Sequence, residues 1–417
     1  MKKERIASLL SSRRLAEAAG LVLETSFLAF LGLLFFSRPA GDVALILVGL
    51  SWVVYRLSSP PFWPPGRVML PLLVFLASML LSTLWAEDRS HSFQQFVSQA
   101  PKMVAIFLAS WEYLRTKEHR ERFFWVSTTV LLLVGVDGIM QFLRGEDLIR
   151  GVALWRGRVR AHFARPTFFE YVLPMLPWSL ALGEGKIRGW WRKGMLGMAG
   201  GTFVFSSLLS RTRSVWLALG LISASMVAFS RRRLWYLLLL AVVLLSWVAL
   251  PLARGRSNPF SLSEFVEEQR YQRMLAWQIT FRMFLDRPLL GKGPDFFENY
   301  ERNAPRQEQY VPPNLRQELK KRKGGVVFPI YHPHNIYLEI LASQGLLGLA
   351  AFLFLLVMLL RNLGGPRGRA SPLFMPTAVS LFTFLFCGTW GTSAYDFWSY
   401  GVLWLLAGMG MRLGEEK

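Results

Sequence analysis

Two histidines stand two residues apart in Tyr331-His332-Pro333-His334-Asn335, and only His91, His119 and His162 occur besides them. An imidazole titrates near neutral pH, so a histidine at this place suits the removal of a proton from a hydroxyl. On position alone, a second reading stands beside it: two interfacial polar residues with no chemical role. A metal does not fit the pair. A proline separates the two rings, no third ligand lies nearby, and the chain has neither a His-Glu-x-x-His nor an Asp-x-Asp run.

The second cluster is Ser210-Arg211-Thr212-Arg213-Ser214-Val215-Trp216, a short polar turn between apolar runs. A charge close to membrane depth is expensive, which points to use rather than accident. Snorkelling is the other reading, and it suits one of two adjacent arginines better than both. The guanidinium fork donates two parallel hydrogen bonds and so matches phosphate. With Arg273 and further arginines on the same side, the turn suits an isoprenoid pyrophosphate. The arginines would steady the leaving group while a histidine activates an acceptor hydroxyl, a coherent arrangement for glycosyl transfer.

The elements that must position these groups are apolar. The chain has 417 residues, is 53% hydrophobic and carries 32 Phe and 16 Trp. A soluble domain would have to be almost all core to hide that surface, whereas lipid covers the outside of a membrane protein. Apolar runs fall near 21–37, 40–55, 68–86, 97–114, 123–143, 167–184, 194–209, 213–230, 234–253, 336–360, 372–390 and 397–413. The predicted fold is an all-α polytopic membrane protein of about twelve transmembrane helices. Some runs are short, which suits tilt or re-entry. The net charge of +21 sits mostly between the runs, so it reads as orientation and lipid contact, not as nucleic-acid binding. The single cysteine, Cys387, excludes disulfides and cysteine metal sites. No cleavable signal peptide, internal repeat or low-complexity segment is evident.

Basic clusters alternate along the chain. Those at residues 2–14, 115–122, 186–193, 231–233, 361–369 and 412–417 fall on one side, which the positive-inside rule makes cytoplasmic, with both termini. The opposite side carries two long connections, 144–166 and 254–335, both Arg-rich. Long loops escape the rule, so their charge suggests an anionic ligand. The predicted organisation is helices 1–9 over residues 1–253, a periplasmic loop with an amphipathic helix and the catalytic region over 254–335, and helices 10–12 over 336–417. Within that loop, Ser261 and Glu264 have capping-box spacing for a helix over 261–286, closed by Pro288 and Gly291-Lys292-Gly293-Pro294. Residues 302–325 read as a polar flap.

Taken in order, these pieces resemble the O-antigen ligase and polymerase superfamily. His334-Asn335, nine residues, then Gly345-Leu346-Leu347-Gly348 is similar to its His-Asn-x9-Gly-x-x-Gly signature, in the His-Asn-x-Tyr-Leu-Glu form through Tyr337 and Glu339. Thr212-Arg213-Ser214-Val215-Trp216-Leu217 resembles its Ser/Thr-Arg-x-x-Trp-Leu element. Arg273-x3-Trp277 with Asp286-Arg287-Pro288-Leu289-Leu290-Gly291-Lys292-Gly293-Pro294 is similar to its Arg-x3-Trp…Pro-Leu-Leu-Gly-Val-Gly-Pro run, departing at Lys292. Arg160-Ala161-His162-Phe163 through Glu170 is a fainter match.

The resemblance implies a GT-C-like bundle with a large periplasmic loop, in a bacterial inner membrane. It implies metal-independent, cofactor-free, inverting transfer of a glycan from undecaprenyl pyrophosphate on the periplasmic face. His334 would be the base, and Arg213 and Arg273 would bind the pyrophosphate. Arg211, Arg160, His162, Arg282, Arg287, His332, Asn335 and Tyr337 are additional candidates. The leading function is an O-antigen ligase with lipid A–core as acceptor. Next stand an O-antigen or exopolysaccharide polymerase and a protein O-oligosaccharyltransferase, which would share these residues and differ in the acceptor. A transporter or flippase is the reading from another class; its charges should line a midplane path, which they do not.

Overall fold

The structure is a computed structural model that describes residues 2–59, 64–184, 189–230, 233–252, 273–294, 297, 307–313, 332–391, 393 and 395–415. Among these residues there are helices and no strands; two isolated bridges pin the 146–158 region. The first five helices are α1 (Lys2–Leu33), α2 (Arg38–Ser58), α3 (Gly66–Trp85), α4 (Arg89–Tyr113) and α5 (Lys117–Arg144). Their starts follow local chemistry. Ser37, Asp88 and Thr116 each accept a hydrogen bond from a first-turn backbone N–H of the helix that follows. Gly145 ends α5 in the left-handed region, at φ +88°.

The run read as 167–184 is not one regular helix. It begins with a 3-10 turn at Pro166–Phe168, makes one α turn at Phe169–Val172, tightens again at Leu173–Met175, and only then becomes helix α6 (Leu176–Glu184). Pro166 and Pro174 lack the N–H donor a regular ladder needs. After it come α7 (Trp190–Leu209), α8 (Arg213–Phe229), α9 (Arg233–Leu252), α10 (Leu275–Asp286), α11 (Ile336–Gly364), α12 (Phe374–Cys387) and α13 (Phe397–Leu413). The helix expected over 261–286 is described from Leu275 onward; its capping-box residues Ser261 and Glu264 lie outside the described residues, as does the proposed flap except for 307–313.

Among the described residues, five helices are long and apolar enough, by length and composition, to cross a membrane: the stretch from Arg14 in α1, then α2, α3, α5 and α11. Arg213–Ala228, Arg233–Ser246 and Phe374–Cys387 are shorter apolar helices. Large apolar side chains stand on the outer surface, among them Leu21, Ile46, Leu50, Leu57, Leu245 and Phe382. A water-soluble chain does not carry such a continuous coat, and lipid is the solvent it fits.

Contacts sort the ends of the helices into two groups. At one end Arg67 meets Glu415, the Trp111 indole donates to Glu415, Arg56 pairs with Glu112, and the Asn362 amide reaches Met411. At the other end Arg150 reaches the Phe36 carbonyl, Arg211 the Gly157 carbonyl and Arg287 the Trp85 carbonyl.

One feature of this second end is built from backbone. Residues 288–293 form a strap on α11, which is broken at Gly345. The Lys292 N–H donates to the Ala342 carbonyl (2.9 Å) and the Gly293 N–H to Ser343 (2.9 Å); the Leu346 N–H returns to Pro288 (2.8 Å) and that of Leu347 to Leu289 (3.2 Å). Gly345 sits at φ +68°, ψ −164°, a region open essentially to glycine alone, and a Cβ there would run into the Leu289–Leu290 backbone. Gly291, at φ +70°, faces the Ser343 backbone in the same way. The glycine at the head of the Gly-x-x-Gly signature and the first glycine of the Gly-x-Gly turn are therefore two halves of one joint. Gly345→Ala should lower the thermal midpoint of the purified protein by several degrees, from a loss of at least ~2 kcal/mol. Gly220→Ala, in a helix with open space around it, should leave the midpoint unchanged or raise it.

Candidate active site

His334 lies just ahead of α11, in the left-handed region at φ +54°. A non-glycine residue there is strained and must be held. Four contacts hold it. The Trp277 indole donates to the Pro333 carbonyl (2.9 Å), and the Asn335 amide to the Thr389 carbonyl (3.3 Å). The Ile336 N–H donates to the Gly388 carbonyl (2.8 Å). Asn335 also caps α11, accepting from the N–H groups of Tyr337 and Leu338 at 3.0 Å each. So Asn335 of the His-Asn pair is a cap and an anchor, and the Tyr337 hydroxyl donates to the Leu385 carbonyl (3.2 Å). Both candidates shape the turn.

The fourth contact joins the two histidines. The His334 backbone N–H donates to Nδ1 of His332 at 3.2 Å, and the rings lie 3.9 Å apart at 57°. A backbone N–H can only donate, so Nδ1 of His332 is an acceptor, and the neutral ring carries its proton on Nε2. The His334 ring is hydrogen-bonded to the Gly391 backbone. Burial pushes the His334 pKa well below its usual value, and the neighbouring His332, Arg273 and Arg165 add to that shift. His332 is lowered to about 4, by burial first and then by Arg165 and Arg273. A histidine with a depressed pKa is a free base at every pH above the lowered value, so both rings are neutral at pH 7.

Arg273, just before α10, is desolvated, which works against its charge, while Glu170 works in favour of it. Glu170 lies in the irregular 166–172 stretch and is 1% exposed. Its Oε1 accepts from the Ser214 hydroxyl. Ser214 follows Arg213 in the first turn of α8. The structure thus gathers His332, His334, Arg165, Arg273 and Glu170, and ties the start of α8 to them through Ser214, the residue after Arg213. Two of these were missed in the sequence. Arg165 was one of many loop arginines. Glu170 had a readable signal, a lone carboxylate at the head of an apolar run, but nothing in the sequence gave it a partner.

Other candidates are committed elsewhere. His162 is buried, with Nδ1 3.0 Å from Asp137 Oδ2 and Nε2 2.9 Å from the Phe35 carbonyl, stacked on Phe36. Arg160 donates to the carbonyls of Ala153 and Ala164 and lies over the Trp155 ring. Gln141 and Asp147 bind further backbone groups of this connection, so 145–165 is a tied loop in which His162 and Arg160 are internal fasteners. Arg211 reaches the Gly157 carbonyl, Arg287 reaches Trp85 and Glu87, and Arg282 is exposed on α10. Lys292, the departure from the family pattern, is buried between Glu87 and Asp286, with its Nζ 5.1 Å from the Tyr310 ring centre. Its carboxylate partners raise the ammonium pKa against the opposing effect of burial, so the charge is kept. It pins the strap to the end of α3. No group of three or more metal-binding side chains occurs among the described residues.

Helices coated with apolar side chains, with a cluster of histidines and arginines at one end, define an all-α membrane protein. Residues 198–353 match the family model described as O-Antigen ligase. That match places this stretch, which holds Arg213, Arg273 and His334, in the O-antigen ligase and polymerase superfamily, and the resemblance read from the motifs is borne out at that level. No curated protein matches the chain.

The low pKa of His334 has a direct readout. In protein labelled with ¹⁵N-histidine, with His334 assigned by comparison with His334→Asn, the ring should remain neutral as pH falls from 7.5 to 6. A protonation midpoint at or above the free value of about 6.5 would contradict it.

Proposed function

We propose that the protein is an O-antigen ligase: a glycosyltransferase of the bacterial inner membrane that moves a glycan from undecaprenyl pyrophosphate to lipid A–core on the periplasmic face. The observation that carries this reading is a neutral, strained histidine within electrostatic range of Arg165 and Arg273, inside the stretch that matches the family. The short basic connections of the opposite side support cytoplasmic termini and a periplasmic site, and the long Arg-rich connections escape that rule.

In this mechanism His334 takes the proton of the acceptor hydroxyl as the oxygen attacks the anomeric carbon. The bond from that carbon to the pyrophosphate oxygen breaks, and undecaprenyl pyrophosphate leaves with the electron pair. Attack from the face opposite the leaving group inverts the anomeric centre. Arg213 and Arg273 hold the pyrophosphate, with Arg165 adding positive potential, so charge that grows on the leaving group meets fixed cations. The positive end of α11, capped by Asn335, faces the same region. His332, neutral with its proton on Nε2, offers a donor to an oxygen but no base of its own. The chemistry needs no metal, because arginines do the work of charge neutralisation.

Two outcomes follow. With undecaprenyl-pyrophosphate-linked glycan as donor and lipid A–core as acceptor, wild-type protein should glycosylate the acceptor. His334→Ala should fold and lose transfer by at least ~10²-fold, the scale of a general base, while His332→Ala is milder. If lipid-linked chains lengthen without lipid A–core, the protein is a polymerase. Arg213→Ala should raise the donor KM by about tenfold or more while leaving the acceptor KM within twofold; an unchanged donor KM and kcat would remove Arg213 from pyrophosphate binding.

A further inference from the structure

Glu170 is a buried carboxyl group that the mechanism above leaves without a task. It lies in the irregular stretch between the tied loop and α6, and its side chain is almost wholly buried. One carboxylate oxygen, Oε1, accepts from the Ser214 hydroxyl, next in sequence to Arg213. The other, Oε2, is buried and has no hydrogen-bond partner among the described residues. It packs against Gly391, where a Cβ would collide with it, and Gly391 is the residue whose backbone bonds the His334 ring. Arg273 lies within electrostatic range of the same carboxylate. A buried carboxylate is costly to keep unless a cation compensates it, and a buried guanidinium has the same need.

We propose that Glu170 is a positioning residue for donor binding: its carboxylate holds the Arg273 guanidinium and the Arg213 end of α8 in register for a diphosphate. This rests on the reading of the site as a diphosphate-sugar transferase. Glycine at 391 belongs to the same device, since any larger residue would displace the carboxylate from beneath the His334 turn. In its ionised form Glu170 supplies the counter-charge that lets Arg273 sit desolvated and prealigned in the donor-free protein, so less of the donor's binding energy is spent on ordering it. Glu170 touches no reacting atom in this scheme; it acts through Arg273 and through Ser214.

The test is Glu170→Gln, which keeps the volume and an oxygen to accept from Ser214 and removes only the charge. It is assayed beside wild type, Arg273→Gln and the double variant, in the reconstituted transfer reaction with varied undecaprenyl-pyrophosphate-linked glycan. Expected is a donor KM raised about tenfold in Glu170→Gln, with kcat and acceptor KM within threefold of wild type. The double variant should show a donor KM no higher than Arg273→Gln alone, because the carboxylate has lost the group it serves. A structural role would lower the amount of folded protein and leave the donor KM alone, or would add its effect to that of Arg273→Gln; either result overturns the proposal. If Glu170→Gln misfolds, Ser214→Ala, which removes one contact to the same carboxylate, should raise the donor KM by a smaller factor, and an unchanged donor KM there would also overturn it. An absence of transfer by the wild type would count against the transferase reading itself.

Discussion

Four backbone hydrogen bonds between the 288–293 strap and the broken helix α11 fix the distance between the two halves of the site. Arg273 and Trp277 belong to the element that leads into the strap, and His334 and Asn335 to the element that receives it. Since the bonds are to main chain on both sides, side-chain exchange cannot shift their register; only loss of the close approach can. That approach depends on Gly345 and Gly291 at conformations and distances that exclude a Cβ. Lys292 and its carboxylates reinforce the same joint from the α3 side. A buried ion cluster of this kind adds little net stability, yet it penalises any arrangement that separates its members.

Around this joint, polar groups are placed where backbone would otherwise be unsatisfied. The outer connection 145–165 would expose many N–H and C=O groups near lipid, and Gln141, Asp147, Asp137 and Arg160 bind them. His162 closes the same network onto the turn after α1 through the Phe35 carbonyl. The loop therefore presents Arg165 and Glu170 from a fixed base, as a preorganised electrostatic site requires.

The state of the histidines follows from the same surroundings. Burial disfavours the imidazolium, and two arginines nearby disfavour it further. An anionic donor would reverse the second contribution, so a proton acquired from the acceptor would be held more easily once pyrophosphate lies among the arginines. In the proposed mechanism, base strength and donor occupancy would therefore be coupled through ordinary Coulomb attraction.

The sequence by itself determined the apolar runs, the alternation of basic clusters and the order of the motifs, because burial in lipid and positive-inside orientation act on local composition. It also singled out His334, Arg213 and Arg273, whose residue types declare their chemistry. It did not determine that Asn335 is a cap, that His162 and Arg160 are fasteners, or that Lys292 is buried in an ion cluster. It placed one helix over 167–184, where prolines break the ladder, and one continuous run over 336–360, where Gly345 interrupts it. Only the tertiary structure brought Glu170 under Gly391 and beside Ser214, although these lie more than 200 and 40 residues from it in sequence. The reason is physical: composition reports what a segment prefers to be buried in, whereas the partner that compensates a buried charge is chosen by packing between segments distant in sequence.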